Sequence, residues 1–427
     1  MGMALFCFGI FLFLLVFNVP LGFSMGGAGI ITLFWDGRID AVSAVMRIFS
    51  GINSISMLAV PFFILSGVLM EGGAISNEIV SFSRAVVGRV RGSLAHVCVV
   101  ACMLFASVSG SAMATALAFS NLLAPAMKKD GYGVDFICAL QACGGTLGPI
   151  IPPSILMIMY CSYANISVGS MFIAGIVPGV LCGISLMICS YFYAKKNNIP
   201  LTPKMHSRER TKAILHAIPA LLMPIIIIGG TMAGFSSPTE AGMVACLYGI
   251  IIGLFVYKGL KLKDLPRIFA KAAMTAATTL IMVGLANLMG YMLLRLNFAT
   301  MIGDFLGSVT SNPLMVMVIV VIFLFILGMF MESTAAMIIF APILAPLAVK
   351  FGINPIQFGL IVVMCQCVAQ ITPPVGALLS ATTFSQGIPV QKAYRPLIPM
   401  VIAEFAILLL TVFIEPLSTW LPTLLMG

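Results

Sequence analysis

The chain has 427 residues, of which 61% are hydrophobic and 8% charged, and its mean hydropathy is +1.15. A soluble domain carries about 25% charged residues, so a water-soluble globule is excluded, and a disordered chain is excluded by the opposite imbalance. The formal net charge of +9 sets 22 basic against 13 acidic residues, and the basic ones lie mainly between apolar runs, a topology signal rather than a nucleic-acid footprint.

At about 20 apolar residues per crossing, the length allows on the order of ten spans. The runs are helix-length, rich in Gly and Ala and not alternating, which excludes a β-barrel. An all-α polytopic membrane protein is expected. Residues 1–17 are apolar but lack a basic n-region and a small-residue cleavage site, so they read as a retained membrane segment. Asn18-Val19-Pro20 then permits one kinked crossing or two. The eleven cysteines, Cys365 and Cys367 among them, lie in apolar sequence without metal-site spacing and read as free packing thiols.

The apolar stretch 93–127 lies between Arg84, Arg89 and Arg91 on one side and Lys128 and Lys129 on the other. Both ends therefore suit the cytoplasm, and a break at Ser109-Gly110-Ser111 makes the stretch a re-entrant hairpin. A helix over 134–163 follows, interrupted from Gly144 to Ser154. The most polar stretch, Lys195 to Lys212 with Lys204 among its bases, divides the chain in two. A second basic loop carries Lys258, Lys261, Lys263, Arg267 and Lys271, and both loops are placed in the cytoplasm. The runs 213–232 and 238–257 between them make an out-and-back pair.

A second hairpin is expected over 313–349, broken from Gly328 to Ser333. Asp304 precedes it and only Lys350 follows, so its ends suit the opposite side of the membrane. A helix over 355–385 is interrupted from Ala369 to Gly376. Shifting the chain by 221 residues aligns Leu123-Ala124-Pro125 with Leu344-Ala345-Pro346, Pro152-Pro153 with Pro373-Pro374, and Pro178 with Pro399. The halves thus read as inverted repeats, a plan that recurs in secondary transporters.

Paired prolines remove N–H donors and leave carbonyls without partners, which persists in a membrane only beside a cavity or ligand. Such carbonyls, with Ser and Thr hydroxyls, suit a small monovalent cation, and the resumed half-helices offer N–H groups to an anion. A proline kink satisfied by neighbouring helices is the plainer alternative, weakened by two symmetry-related breaks beside hairpin tips. Glu332 aligns with Ser111 and is open to three roles: binding substrate hydroxyls, holding a cation, or capping the helix that begins at Ser333. Glu404 and Arg295 are placed near segment ends, as snorkelling or structurally paired groups.

These motifs resemble the large membrane subunit of a tripartite ATP-independent periplasmic (TRAP) transporter, nearly end to end. The likeness rests on Ala59 to Gly67, Gly144 to Ser154, Ser237 to Ala241, Gly328 to Glu332, Ala341 to Pro346 and Thr372 to Gly376. It implies an elevator-type, sodium-coupled carrier of a small organic acid in the bacterial inner membrane. Its implied partners are the lipid bilayer, a small membrane subunit and a periplasmic substrate-binding protein, with no nucleotide and no nucleic acid. By the same resemblance 1–92 and 213–312 are scaffold, 93–192 and 313–427 are transport repeats, and 193–212 is a cytoplasmic linker.

The resemblance further implies one sodium ion near Ala106, Ser109, Gly148, Ile151 and Pro153, and another near Gly328, Ala369, Thr372 and Val375. The substrate is implied near Ser111, Ser154 and Glu332. Glu332 and Ala369 depart from the Asp and Gly common in the family. A self-sufficient sodium- or proton-coupled carboxylate carrier is the alternative. A membrane enzyme is disfavoured, since no nucleotide loop, paired intramembrane aspartates or His-rich metal spacing is found.

Overall fold

A computed structural model of the chain describes residues 2–426 except 38–39, 73–74, 202–204 and 233; at 41 and 55 it describes the backbone alone. Lys204 of the expected linker lies outside the described residues. Twenty α-helices and no strand are present among the described residues. Among these residues seven helices are long and apolar enough to cross a membrane, or up to nine if each bent pair is one span.

Five helices open the chain: α1 (Gly2–Val16), α2 (Leu21–Asp36), α3 (Ala41–Ile52), α4 (Ile55–Gly72) and α5 (Ile75–Val87). α1 and α2 are separate helices that fold back on each other, placing the Phe6 ring 5.4 Å from that of Trp35. Next come α6 (Ser93–Ser109), α7 (Ala112–Lys129), α8 (Val134–Ile150), α9 (Ile155–Ala164) and α10 (Val168–Lys196). The middle of the chain forms α11 (Ser207–Met232), α12 (Pro238–Ile251), α13 (Leu265–Arg295) and α14 (Phe298–Val309). The last group is α15 (Pro313–Gly328), α16 (Ser333–Lys350), α17 (Pro355–Ala369), α18 (Ala377–Gln386), α19 (Val390–Phe413) and α20 (Pro416–Met426).

A shift of 221 residues carries α7 onto the bounds of α16. The same shift starts α6, α8, α9 and α10 within one residue of α15, α17, α18 and α19. Side-chain caps set several of these starts: Ser111, Ser154 and Ser167 each accept a hydrogen bond from the N–H three residues on. At about 1.5 Å per residue, α6 and α7 are roughly 25–27 Å long, short of a hydrocarbon core of about 30 Å.

Two packing groups result. α8 and α17 are buried along nearly their whole length and are wrapped by the other members of their own segments. Around them α13 anchors a second group, packing on α2, α3 and α4, while α4 meets α12 and α5 meets α11. Close approach of α2 to α13 uses Gly22, Gly26 and Gly29, where an added Cβ would strike Met282, Leu285 and Leu288.

The first interruption is shorter than the run Gly144–Ser154 suggests: α8 stays helical to Ile150, and only 151–154 leave the helix. The glycines serve packing instead. A Cβ on Gly145 would lie 2.8 Å from the Ala112 carbonyl oxygen, and one on Gly148 would lie 2.6 Å from that of Ser111.

Candidate functional site

The first hairpin tip forms where Gly110 ends α6 at φ +57, a left-handed turn that a side chain would strain. Ser111 then restarts the chain by capping α7 at the Ala114 N–H, 3.4 Å away. Ser109, 4% exposed, shares a 2.9 Å hydroxyl contact with Thr115. This tip sits directly on the first break, since a Cβ on Gly110 would come within 2.8 Å of the Pro153 carbonyl oxygen. Ala106, Gly148, Pro153 and Ser154 are buried and Ile151 is half-buried; Ser154 caps α9 at the Met157 N–H.

The second tip repeats the plan with different chemistry. Glu332 takes the Ser111 position and caps α16, accepting from the Ala335 N–H at 3.1 Å and from the Thr334 hydroxyl at 2.8 Å. Of the three roles left open for Glu332, capping is therefore present, and the residue also stands exposed on the cavity described below. The tip is tied to its break by Gln370, whose side-chain amide donates to the Ser333 hydroxyl at 2.9 Å. Gly328 packs against Ala369, both buried. Thr372 donates to the Val368 carbonyl at 2.8 Å, and the Val375 carbonyl accepts from Ser380 at 2.8 Å, with Val375 46% exposed.

Both tips and both breaks meet at one cavity of about 370 Å³. Ser109, Ser111, Glu332 and Ser333 line it from the tips, and Pro149, Ile155 and Gln370 from the interrupted helices. The first turns of α7, α9 and α16 open onto it, which supplies partial positive charge and N–H donors. Its size falls within the range of small-molecule sites. Ser111 and Glu332 stand on its wall, whereas Ser154 is sealed beneath it.

The opposite wall was not read from the sequence. α13 contributes Lys271, Thr275 and Thr279, one helical face at steps of four, and Lys271 pairs with Glu71 of α4 at 2.9 Å. Arg267 and Lys271 are thus parts of α13 rather than of a loop, and Lys271 also stands on the cavity wall. The signal was the i, i+4, i+8 spacing of polar residues in an apolar helix. Glu404 departs from the expected segment-end place but keeps the structural pairing read for it. It lies well inside α19, fully buried, and is bonded to Thr146 of α8 at 2.9 Å. Arg295 closes the last turn of α13.

A family model described as "Tripartite ATP-independent periplasmic transporter, DctM component" matches residues 8–417. The chain belongs to this family. A sialic acid TRAP transporter large permease from Vibrio cholerae is 34% identical over 97% of both chains. A C4-dicarboxylate TRAP transporter large permease from Pseudomonas aeruginosa is 35% identical over 93% of each. A 2,3-diketo-L-gulonate large permease from Escherichia coli is 32% identical over 94% of each. The solved structure of the YdaH transporter from Alcanivorax borkumensis shares the fold, with TM-score 0.63 and 14% identity over 89% of this chain and 91% of that one.

This TRAP component is accordingly a multi-pass inner-membrane permease rather than an enzyme. It works with a small membrane subunit and a periplasmic binding protein. That assignment favours the tripartite reading over the self-sufficient carrier.

Proposed function

We propose that the chain is the permease of a sodium-coupled transporter that takes up a small organic acid handed over by the binding protein. The observation that carries this reading is the convergence of two hairpin tips and two interrupted helices on one cavity. Relatives named for sialic acid, C4-dicarboxylates and 2,3-diketo-L-gulonate point to a carboxylate cargo. N–H groups at the starts of α7 and α16, the Ser111 hydroxyl and Lys271 are the anion-seeking groups around the cavity.

Sodium would be held at the first break by Ala106, Ser109, Gly148, Ile151 and Pro153, and at the second by Gly328, Ala369, Thr372 and Val375. Main-chain oxygens at the tips and breaks are the hard donors such an ion needs, and they would replace its hydration shell. Ion binding would fix each break in the shape that supports its tip. Substrate then binds better to the ion-loaded protein, and by reciprocity sodium binds better to the substrate-loaded one. The halves act as inverted repeats, and α6–α10 with α15–α20 slide as an elevator against a scaffold built on α13 and α4.

The test is uptake into proteoliposomes containing the permease, its small subunit and its binding protein. Sialic acid, C4-dicarboxylates and 2,3-diketo-L-gulonate are offered under an inward sodium gradient. Uptake of one of these acids should collapse when potassium replaces sodium. Equal uptake in both salts would remove sodium coupling.

A further inference from the structure

Glu404 has no part in the mechanism above, yet it is fully buried between the halves of the chain. Its Oε1 lies 2.9 Å from the Thr146 hydroxyl, and the same hydroxyl lies 2.5 Å from the Cys143 carbonyl oxygen. A threonine hydroxyl has one hydrogen, so it satisfies only one of these two acceptors. When that hydrogen goes to Cys143, the contact with Glu404 is a hydrogen bond only if the carboxyl itself is the donor. When it goes to Glu404, a carboxylate is left with a single donor, because Oε2 has no partner among the described residues. A buried carboxylate needs several donors or a countercharge.

No countercharge is at hand among the described residues. None of the ion pairs among the described residues includes Glu404. The titratable groups facing it from the packed helices are thiols: Cys143 on α8, Cys182 and Cys189 on α10, and Cys367 on α17. The residue is also absent from the cavity wall, so no water-filled route reaches it there.

We propose that Glu404 is a neutral carboxylic acid at physiological pH that donates its proton to the Thr146 hydroxyl and so fastens α8 to α19. Thr146 is two residues before Gly148, so Glu404 is a positioning residue for the run into the first break. The proton stays in place through the cycle and is not a coupled one. The positioning role rests on the sodium reading above; the protonation state does not.

The experiment uses the purified permease with its small subunit. The infrared difference between wild type and Glu404→Gln at about pH 7 should show the loss of a protonated-acid carbonyl band. In Thr146→Val that band should remain and shift to higher frequency. Loss of carboxylate bands instead would overturn the proposal. Gln reproduces a neutral acid's shape, so Glu404→Gln should melt like wild type while Glu404→Leu melts lower. A Gln variant as unstable as the Leu variant would count against a neutral acid.

Sodium alone is the probe for the positioning role. The concentration that half-stabilises the complex should be unchanged in Glu404→Gln and raised several-fold in Glu404→Leu, with an unchanged value in the Leu variant ending that role. A wild-type complex with no sodium response would overturn the sodium reading and the positioning role together, while the infrared result still decides the protonation.

Discussion

The two breaks share a Pro-Pro pair but differ in how far they open. The first spans 151–154, with Pro152, Pro153 and Ser154 buried; the second spans 370–376, with Pro374 and Val375 exposed. Their sequences explain the contrast. The 221-residue shift puts Val375 where the first break has Ser154. Ser154 caps the resumed helix, whereas α18 begins without a side-chain cap, after Gly376 at φ +50. A hydroxyl draws the chain back into helix at once, and its absence fits the one residue by which α18 starts later than α9; the other two extra residues come from α17 ending earlier than α8. Tip-to-break contact differs in parallel, tight through Gly110 and Gly148 in the first half and through Gly328 and Gln370 in the second. One half is therefore locked by backbone shape and the other by side chains, so the halves should fail under different substitutions.

Gly110→Ala should do the most damage. Its positive φ costs a β-carbon roughly 1–2 kcal/mol, and contact with the Pro153 carbonyl oxygen adds about 1–3 kcal/mol of overpacking. The equivalent position in the second half is Met331, which is not among the positive-φ residues. Met331→Ala should cost less than about 1 kcal/mol. Thermal melting of the two variants makes the comparison, and equal losses would contradict a backbone lock confined to the first tip.

Gly148→Ala comes next, at about 1–3 kcal/mol, because the new Cβ meets the Ser111 carbonyl oxygen at 2.6 Å. Its counterpart is already Ala369, packed against Gly328. Ala369→Gly should therefore cost only about 0.5–1 kcal/mol, the ordinary helix penalty of glycine. A first break that accepted alanine as readily as the second would show that the tip is not seated on it.

Much of this was legible in the sequence because prolines and glycines act locally. Ser109-Gly110-Ser111 and Gly328–Ser333 coincide with the ends of helices, and Thr372-Pro373-Pro374 falls within an interruption. Where the reading missed, the deciding contacts were distant. Gly144 and Gly145 look like helix breakers until Cys102 and Ala116 are seen pressed against them. Lys271 follows Lys261, Lys263 and Arg267, so composition assigned it to a loop, whereas its partner Glu71 lies 200 residues away. Glu404 looked marginal because Lys392, Arg395 and two prolines precede it; the Thr146 bond spans 258 residues. Partners that far apart leave no periodic trace in one chain.

Removing the first-break cap ranks third. Ser154→Ala should cost about 0.5–2 kcal/mol by leaving the Met157 N–H without its partner. The matching change, Val375→Ala, removes no cap and should stay within about 0.5 kcal/mol. Should both variants melt alike, the missing hydroxyl would not be what holds the second break open.

The smallest stability effect is expected at the second tip, where it separates structure from function. Ser111 and Glu332 cap equivalent N–H groups, those of Ala114 and Ala335. Glu332→Gln keeps a side-chain oxygen for the Ala335 N–H, so stability should change by less than about 0.5 kcal/mol. The negative charge beside the cavity is lost all the same. If the charge helps hold sodium or orient the cargo, uptake should fall several-fold, or its half-saturating sodium concentration should rise, with melting unchanged. Full uptake with unaltered sodium dependence would reduce Glu332 to the counterpart of Ser111 as a cap, and the two tips would then differ in residue but not in role.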